Sequence, residues 1–317
     1  MRVALVLVLA AAFAASPAFA KLPVKPVKIA VKHKEYEIDV AYPQTGNKTI
    51  DSQIADWAKG ETASFRNDAA GDDGDGSIGP YSLNIEFQVA RNDDKAFAVV
   101  FTESTYEGGA HPNTFFRTMN FLMPDGWQVY LQEIFTEAGL KKISQLAVAD
   151  LDKQLTGPDS MSDKDWIARG AGPDWDNFSD FVLLPDALDV QYAPYNVAAY
   201  AAGPQETKIP LAPLKPFMRA DWRAPAASFD CAKAAAPIEK TICSDVNLAR
   251  RDRDVAEAYR QLTGNTDSDA AKKPIRDAQR AWLAKRKTAC PQDGAKAVAC
   301  LTALYQARLK VLTAPPQ

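Results

Sequence analysis

The sequence predicts an α+β domain, built on an antiparallel sheet with helices, followed by a small all-α module stapled by disulfides. Alternating apolar residues recur through the first two thirds of the chain, helical spacing fills the last third, and all four cysteines lie in that last third. A proline-rich stretch, IPLAPLKPFMRADWRAPAAS, separates the two parts. We therefore place the α+β domain at residues 21–215, a linker at 216–227 and the helical module at 228–317.

Five strands of the α+β domain are predicted before its second helix. YEIDVAY alternates, with Ile38 and Val40 on the inward face, and a helix with Ile50 and Ile54 at helical spacing follows it. SLNIEFQVA, AFAVVFTESTY, FFRTMNF and WQVYL continue as a meander of hairpins. A second helix has its apolar face at Leu140, Ile143, Ala147, Leu151 and Leu155, and FVLLPDALDVQYAPY forms a last hairpin.

The first twenty residues have the pattern of a secretory signal. MRVALVLVLAAAFAASPAFA begins with a positive charge at Arg2, continues as an apolar run and ends in Ala-Phe-Ala before Lys21. The run is shorter than the roughly 20 apolar residues that span a bilayer, and Pro17 follows it. We expect cleavage after Ala20, a periplasmic protein and no membrane insertion after cleavage.

The first two cysteines lie in a stretch of helical character, SFDCAKAAAPIEKTICSD. In one straight helix, Cys231 and Cys243 would stand about 18 Å apart, whereas a disulfide needs Cα atoms within about 7 Å. Pro237 favours the start of a helix over its interior. The stretch therefore predicts a helical turn from Asp230, a break, and a second helix through Ile242.

Four cysteines allow three pairings. The predicted export favours disulfides, because they persist in oxidising compartments. Proximity along the chain favours Cys231–Cys243 and Cys290–Cys300. A zinc site does not fit, because no two cysteines are two to four residues apart. The later helices have apolar faces, and Ser244 is the predicted N-cap of the helix that carries Leu248 and Val255.

Charge also divides the chain. From Ser228 to the end there are 16 Lys and Arg against 10 Asp and Glu, a net charge of +6, whereas the rest has 21 against 30, a net charge of −9. The acidic part would attract a basic partner, and the basic module could contact the acidic domain or an anionic wall. Basic and acidic residues alternate in ARRDRDVAE, which is typical of a solvated helix face, and export argues against a nucleic acid partner.

One loop carries the residues that could support chemistry. YEGGAHPNT contains Glu107, Gly108, Gly109, His111 and Asn113 between two predicted strands. In a functional interpretation, His111 acts as a base beside Glu107 and Asn113. In a structural interpretation, the two glycines supply positive φ for a hairpin, stiffened by the following proline.

No cofactor or metal is expected. His33 and His111 are the two histidines, too few for a usual zinc site. If GDDGDGS were part of an EF-hand calcium loop, the first and last positions of that loop would lack the acidic residues that bind the ion.

Residues 228–313 resemble the LprI-type lysozyme inhibitors. The similarity rests on the cysteine framework and on a set of matching residues, which are Asp230, Gln279, Trp282, Arg286, Tyr305 and Arg308. The resemblance implies a small secreted module that binds lysozyme. Arg251 stands where that family commonly has leucine, so the start of its helix is expected to pack differently.

The α+β domain resembles the envelope domain of RsiV-type anti-sigma factors and PdaC-type peptidoglycan deacetylases. YEGGAHPNT, LQEIFTEAGLKKISQLA and FVLLPDALDVQYAPYNVAAYAAGPQETKIPLAPL carry this similarity. In RsiV-type proteins this domain binds lysozyme. No deacetylase catalytic domain is recognised, so deacetylation is not implied.

Together these observations predict a non-enzymatic exported protein that binds, and by occluding the cleft inhibits, lysozyme-type muramidases. The acidic domain is the expected enzyme-facing part. Two alternatives are a module that binds peptidoglycan and an envelope-glycan enzyme that uses the His111 loop.

Overall fold

A computed structural model describes residues 21–71, 80–155, 157, 161–220, 222–223, 227–264, 266, 268–292 and 294–313. The signal with its cleavage after Ala20, and nearly all of the GDDGDGS loop, lie outside the described residues. The predicted fold class is confirmed, since a sheet-rich part with helices precedes a helical part with two disulfides. Within the described ranges, every helix is too short or too polar to cross a bilayer.

The first sheet has six strands that neighbour one another in chain order. They are β1 (Lys25–Lys32), β2 (Tyr36–Gln44), β3 (Tyr81–Asn92), β4 (Ala96–Tyr106), β5 (Asn113–Leu122) and β6 (Trp127–Gln128). All neighbours are antiparallel except β2 and β3, which are parallel. A meander of hairpins has only antiparallel neighbours, so the prediction did not include this parallel pair. Parallel neighbours require a crossover connection, and helix α1 (Lys48–Gly71) lies in that crossover.

Helix α1 packs on one face of this sheet. The predicted inward residues Ile38, Val40, Ile50 and Ile54 are all at most 2% exposed. Phe101 of β4 lies against Trp57 of α1, with ring centroids 4.3 Å apart. The alternating and helical patterns therefore identified the two surfaces that meet in this core.

The prediction that WQVYL forms a full strand is wrong. Trp127 and Gln128 pair with β5, the Val129 amide still donates to the Asn120 carbonyl of β5 at 2.8 Å, and the chain then enters helix α2 (Leu131–Ile134). The Tyr130 amide donates to Glu133 Oε2 at 2.9 Å, which satisfies one of the free donors at the helix start. This local hydrogen bond replaces the sheet pairing that the alternation predicted.

A second sheet lies beside β5 and carries its own core. Its antiparallel strands are β7 (Phe181–Leu183), β8 (Ala187–Tyr192) and β9 (Gln205–Pro210), and helix α3 (Glu137–Leu155) contacts β9. A short helix, α4 (Lys164–Gly170), packs on α3. The buried Asn120 side chain joins the sheets, accepting from the Leu183 amide at 2.8 Å and donating to the Phe181 carbonyl at 2.7 Å.

The start of the predicted linker is folded against the α+β domain. Met218 forms a β-bridge with Phe135, and the Arg219 amide donates to the Ile134 carbonyl at 2.8 Å. The domain boundaries themselves stay a prediction.

The helical module consists of a 3₁₀ turn and four α-helices. The helices are α5 (Pro237–Ser244), α6 (Val246–Gly264), α7 (Asp269–Thr288) and α8 (Gly294–Leu312). As predicted, the first turn begins after Asp230, whose carboxylate accepts from the Ala232 amide at 2.9 Å, and α5 begins at Pro237. Ser244 is not the N-cap of α6. The Asp245 carboxylate accepts from the Asn247 and Leu248 amides instead, and a carboxylate is favoured at that position.

Both disulfides join the cysteines that proximity favoured. Cys231–Cys243 and Cys290–Cys300 have Cα atoms 5.8 and 5.7 Å apart. The first bond links the turn at 231–233 to α5, and the second links the end of α7 to α8. They hold together a module whose apolar core is small.

A buried polar network crosses the core of this module. The Asp252 carboxylate, on α6, accepts from Arg286 Nη1 of α7 at 2.6 Å and from the Tyr305 hydroxyl of α8 at 2.5 Å. It also accepts from the Ser228 amide and hydroxyl. Asp252 is 3% exposed, so one buried charge on α6 is satisfied by groups from three other segments.

The remaining residues of the LprI-like motif lie around this network. The Arg308 guanidinium donates to Gln279 Oε1 at 2.7 and 2.9 Å. Trp282 packs edge-on against Tyr305 with ring centroids 5.2 Å apart. Asp230, by contrast, is exposed and caps the first turn. Most of the motif residues therefore stabilise the core of the module.

We expect Asp252→Ala to lower the free energy of unfolding by about 3–5 kcal/mol, because it leaves the buried Arg286 guanidinium without its anion. Urea unfolding of the full chain measures this change. Asp269→Ala is the matched control, since its side chain is 92% exposed and pairs with Arg276 at 3.4 Å, and it should change stability by less than about 1 kcal/mol. Similar losses in the two variants would contradict a structural role for the network.

Candidate functional site

The YEGGAHPNT loop connects β4 to β5 and is largely exposed. Gly108 has φ +81°, as the structural interpretation predicted, whereas Gly109 lies outside the positive-φ region and that part of the prediction is wrong. Glu107 and Asn113 are exposed at the two ends of the loop. No hydrogen bond within the described residues joins either of them to His111, so the structure does not assemble the three as a catalytic group.

His111 is instead stacked on an aromatic ring from a distant segment. Its imidazole lies on Tyr200, with ring centroids 3.7 Å apart and planes 18° apart. His111 Nδ1 lies 3.0 Å from the Pro112 carbonyl, an acceptor, so this nitrogen carries the proton in that contact. The Tyr200 hydroxyl donates to the same carbonyl at 2.9 Å. The loop is thereby fixed to the segment between β8 and β9.

Tyr195 extends this stack into an exposed aromatic surface. Its ring centroid is 5.7 Å from that of Tyr200, and its side chain is 53% exposed. Tyr195 has φ +73°, the only positive φ at a non-glycine residue in the described part of the chain. The Trp166 indole donates to the Tyr195 carbonyl at 3.0 Å and helps to hold this backbone. We name His111, Tyr195 and Tyr200 the aromatic surface.

The conformation of Tyr195 is unfavourable for a side chain with a Cβ, and such strain persists where the surrounding structure imposes it. Exposed tyrosine rings are also typical of binding surfaces, since they offer rigid apolar area with a polar tip. Strain and exposure at one residue therefore make the aromatic surface the best candidate for partner binding in the α+β domain.

The sequence patterns did not lead us to two partly buried carboxyl groups, Glu61 on α1 and Glu103 on β4. Burial, together with the charges of Glu61 and Glu107, raises the pKa of Glu103 to about 7. Burial also raises the pKa of Glu61, opposed by the Arg117 charge and by a hydrogen bond with Trp57. A signal was present, because Glu103 continues the inward alternation of Phe97, Val99 and Phe101, and Glu61 lies on the helix face of Ile54 and Phe65.

A charged stripe on α6 docks the helical module on the α+β domain. Arg250, Arg253, Glu257 and Arg260 recur three and four residues apart, so they lie along one face of the helix. We name them the docking stripe. The prediction of a solvated face is wrong here, since Arg250 is 5% and Glu257 7% exposed.

The first half of the docking stripe meets the region around β6 and α2. Arg253 forms an ion pair with Glu133, and both side chains are less than 15% exposed. Arg253 Nη2 also donates to the Gln128 carbonyl at 3.2 Å. The Arg250 guanidinium lies 5.3 Å from the centre of the Trp127 ring. Arg251, the departure from the LprI pattern, lies 5.7 Å from the same ring, so this position contacts the other domain.

The second half of the docking stripe meets α2 and the turn before β7. Gln132 Nε2 donates to Glu257 Oε2 at 2.5 Å. Arg260 Nη1 donates to Asp176 Oδ1 at 2.5 Å, and Arg260 Nη2 donates to Glu257 at 2.8 Å. Arg253, Glu257 and Arg260 therefore have partners across the interface, whereas Arg250 Nε and Nη1 are buried without a hydrogen-bond partner.

A cleft of about 410 Å³ opens beside this interface, between Asp176 and the ends of α6 and α7. Arg260 and Arg276 line it, and each is already paired with an aspartate. Among the described residues, no group of three or more His, Cys, Asp or Glu side chains could hold a metal ion.

We expect the Glu133–Arg253 pair to couple the domains by about 1–3 kcal/mol in a double-mutant cycle of Glu133→Gln and Arg253→Met, because both groups are largely removed from water. Urea unfolding of the four proteins measures the coupling. The control cycle uses Lys273→Met and Asp277→Asn, an exposed pair on α7 worth less than about 1 kcal/mol. A coupling no larger than that of the control would contradict the docking role.

We expect the free energy of unfolding to fall as pH rises toward about 7, because folded Glu103 holds a proton that the unfolded chain releases at lower pH. Glu103→Gln should reduce this slope and stabilise the protein at about pH 8, where the wild type buries a charge. Urea titrations at about pH 5.5 and about pH 8 test this. Glu86→Gln, at an exposed position of β3, is the control, and an unchanged slope in Glu103→Gln would contradict the expectation.

Comparison with known proteins finds three family models along the chain. Residues 29–114 match the model described as Deacetylase PdaC, residues 132–212 match a protein of unknown function, DUF3298, and residues 231–312 match Lysozyme inhibitor LprI. The recognised resemblances to the LprI and PdaC families are thereby confirmed.

One curated relative and two solved structures add to this. The chain is 27% identical over 191 residues to the peptidoglycan-N-acetylmuramic acid deacetylase PdaC of Bacillus subtilis (strain 168), covering 60% of this chain and 40% of that protein. A DUF3298 family structure from Bacteroides fragilis is 17% identical with a TM-score of 0.42, over 63% of this chain and 94% of that one. Another, from Pseudomonas aeruginosa PAO1, is 15% identical with a TM-score of 0.43, over 63% and 96%. The chain thus combines segments that match the PdaC, DUF3298 and LprI family models.

Proposed function

We propose that this chain is an exported, periplasmic binding protein that engages and inhibits lysozyme-type muramidases. The match of residues 231–312 to the lysozyme inhibitor family carries the proposal. The features on which that resemblance rests are intact in the fold, namely both disulfides and the contacts of Arg286, Tyr305, Gln279 and Arg308. Two disulfides also fit an extracytoplasmic compartment, in line with the signal expected at residues 1–20.

The aromatic surface is our proposed contact with the enzyme. It lies in the acidic part of the chain, which carries the net charge of −9 and would attract a basic muramidase. Its exposed rings could enter a concave cleft, and Tyr195 is held in a strained conformation with its ring exposed. Occlusion of the active cleft by these side chains would inhibit wall lysis.

We propose a binding role in preference to an enzymatic one. The deacetylase relative is matched over only 40% of its length, so its activity does not carry over with the similarity. His111, the candidate base, uses one ring face for Tyr200 and its Nδ1 for the Pro112 carbonyl. A hydrolytic or deacetylase activity on envelope glycans that disappears in His111→Ala would overturn this choice.

We expect the oxidised protein from Lys21 onward to bind c-type lysozyme and to suppress wall lysis, with binding that weakens as salt screens the acidic domain. Tyr195→Gly should weaken binding by roughly 30-fold or more, as for a central aromatic anchor, without loss of stability, because glycine tolerates the positive φ. Titration calorimetry and a turbidity assay measure binding and lysis together.

Val311→Ala is the matched control, since it removes another exposed apolar side chain, 63% exposed, from α8. It should leave lysozyme binding unchanged. Absence of binding to several lysozyme types at low salt would contradict the proposed function. Equal losses in Tyr195→Gly and Val311→Ala would contradict the assignment of the surface.

A further inference from the structure

Docking changes the charge that the helical module shows to solvent. Asp252 is enclosed in the core network, and Glu257 is held by Gln132 and Arg260 in the interface. The neighbouring Asp254 is half-buried. Arg250, Arg286 and Arg308 are buried as well, whereas many lysines of the module remain exposed.

The exposed cations include a straight row on α7. Lys273, Arg280 and Lys287 are seven residues apart, two turns of helix each, so they lie on nearly the same side. At about 1.5 Å per residue the row is about 21 Å long. All three side chains are exposed, and we name them the basic stripe.

Acidic residues near the basic stripe do not cancel it. Asp277 lies between its first two members, 2.7 Å from Lys273 Nζ and 3.8 Å from an Arg280 nitrogen. Glu239 of α5 lies near Lys287, but its carboxylate accepts from the Ala235 and Ala236 amides. The stripe with Asp277 thus keeps two net positive charges along one line.

The basic stripe takes no part in the docking contact. The helical module meets the α+β domain through α6, and none of the ion pairs of the stripe reaches the other domain. A basic muramidase would be repelled by this row, so the proposed enzyme contact does not account for it.

We propose that the basic stripe binds the carboxylate-bearing strands of peptidoglycan. A linear array of cations matches a linear polymer with repeating anions, and each further charge contact adds affinity that salt reduces. Lysine supplies mobile point charges, and arginine supplies a planar fork that suits a carboxylate. The module would hold the protein on the wall while the α+β domain faces the enzyme that attacks it.

The test is sedimentation of the full oxidised chain with purified sacculi, without lysozyme. We expect the triple variant Lys273→Glu, Arg280→Glu and Lys287→Glu to pellet at least about 10-fold less well, and Asp277→Asn to pellet better, because it removes the acid in the row. The matched control is Lys28→Glu, Lys95→Glu and Lys215→Glu, which makes the same change in net charge at exposed sites of the α+β domain. This control should pellet like the wild type.

Several outcomes would overturn the proposal. They are an unchanged triple variant, equal losses in both triple variants, or undiminished binding to sacculi whose carboxyl groups have been amidated. Urea unfolding checks that the variants fold, and Asp277→Asn tests the stripe without adding repulsion. The triple variant should still bind lysozyme, so a failure of wall binding and a failure of the proposed function give different results.

Discussion

The helical module depends on the buried carboxylate of Asp252. This one anion joins α6 to Arg286 of α7, to Tyr305 of α8 and to Ser228 at the start of the module. A buried charge is tolerated only where hydrogen bonds surround it, so the network requires the helices to meet in one arrangement. The two disulfides then restrict the same helices at their ends. A small apolar core can suffice because polar and covalent links specify its geometry.

The same helix joins the two domains through its other face. Asp252 points into the module, whereas Arg253 and Arg260 reach Glu133 and Asp176 of the α+β domain. Fixing the orientation of α6 inside the module therefore also fixes the position of the docking stripe. The segments that match different families are physically connected in this chain, and a partner held by one would be presented in a defined orientation to the other.

In the α+β domain, the arrangement of distant loops creates the candidate surface. His111 and Tyr200 are far apart in sequence, yet their rings stack and both contact the Pro112 carbonyl. This arrangement gives the loop a structural function in positioning rings and leaves Tyr195 exposed. The two domains have net charges of opposite sign. The acidic domain suits a basic enzyme, and the basic stripe suits the anionic wall.

Residue spacing alone determined the long helices and most strands, the inward residues Ile38 and Ile54, the break before Pro237 and the favoured disulfides. These features depend on neighbours within a few turns, which local periodicity reports directly. Only the tertiary structure decided that α6 docks through Arg253, that β2 and β3 are parallel, and that Tyr195 lies beside Tyr200 and His111. Periodicity shows which face of an element is apolar or charged, but not which distant element covers it. An alternating run such as ARRDRDVAE therefore has the same pattern in water and in an interface, since the ion-pair partners of Arg250 and Arg253 lie more than a hundred residues away.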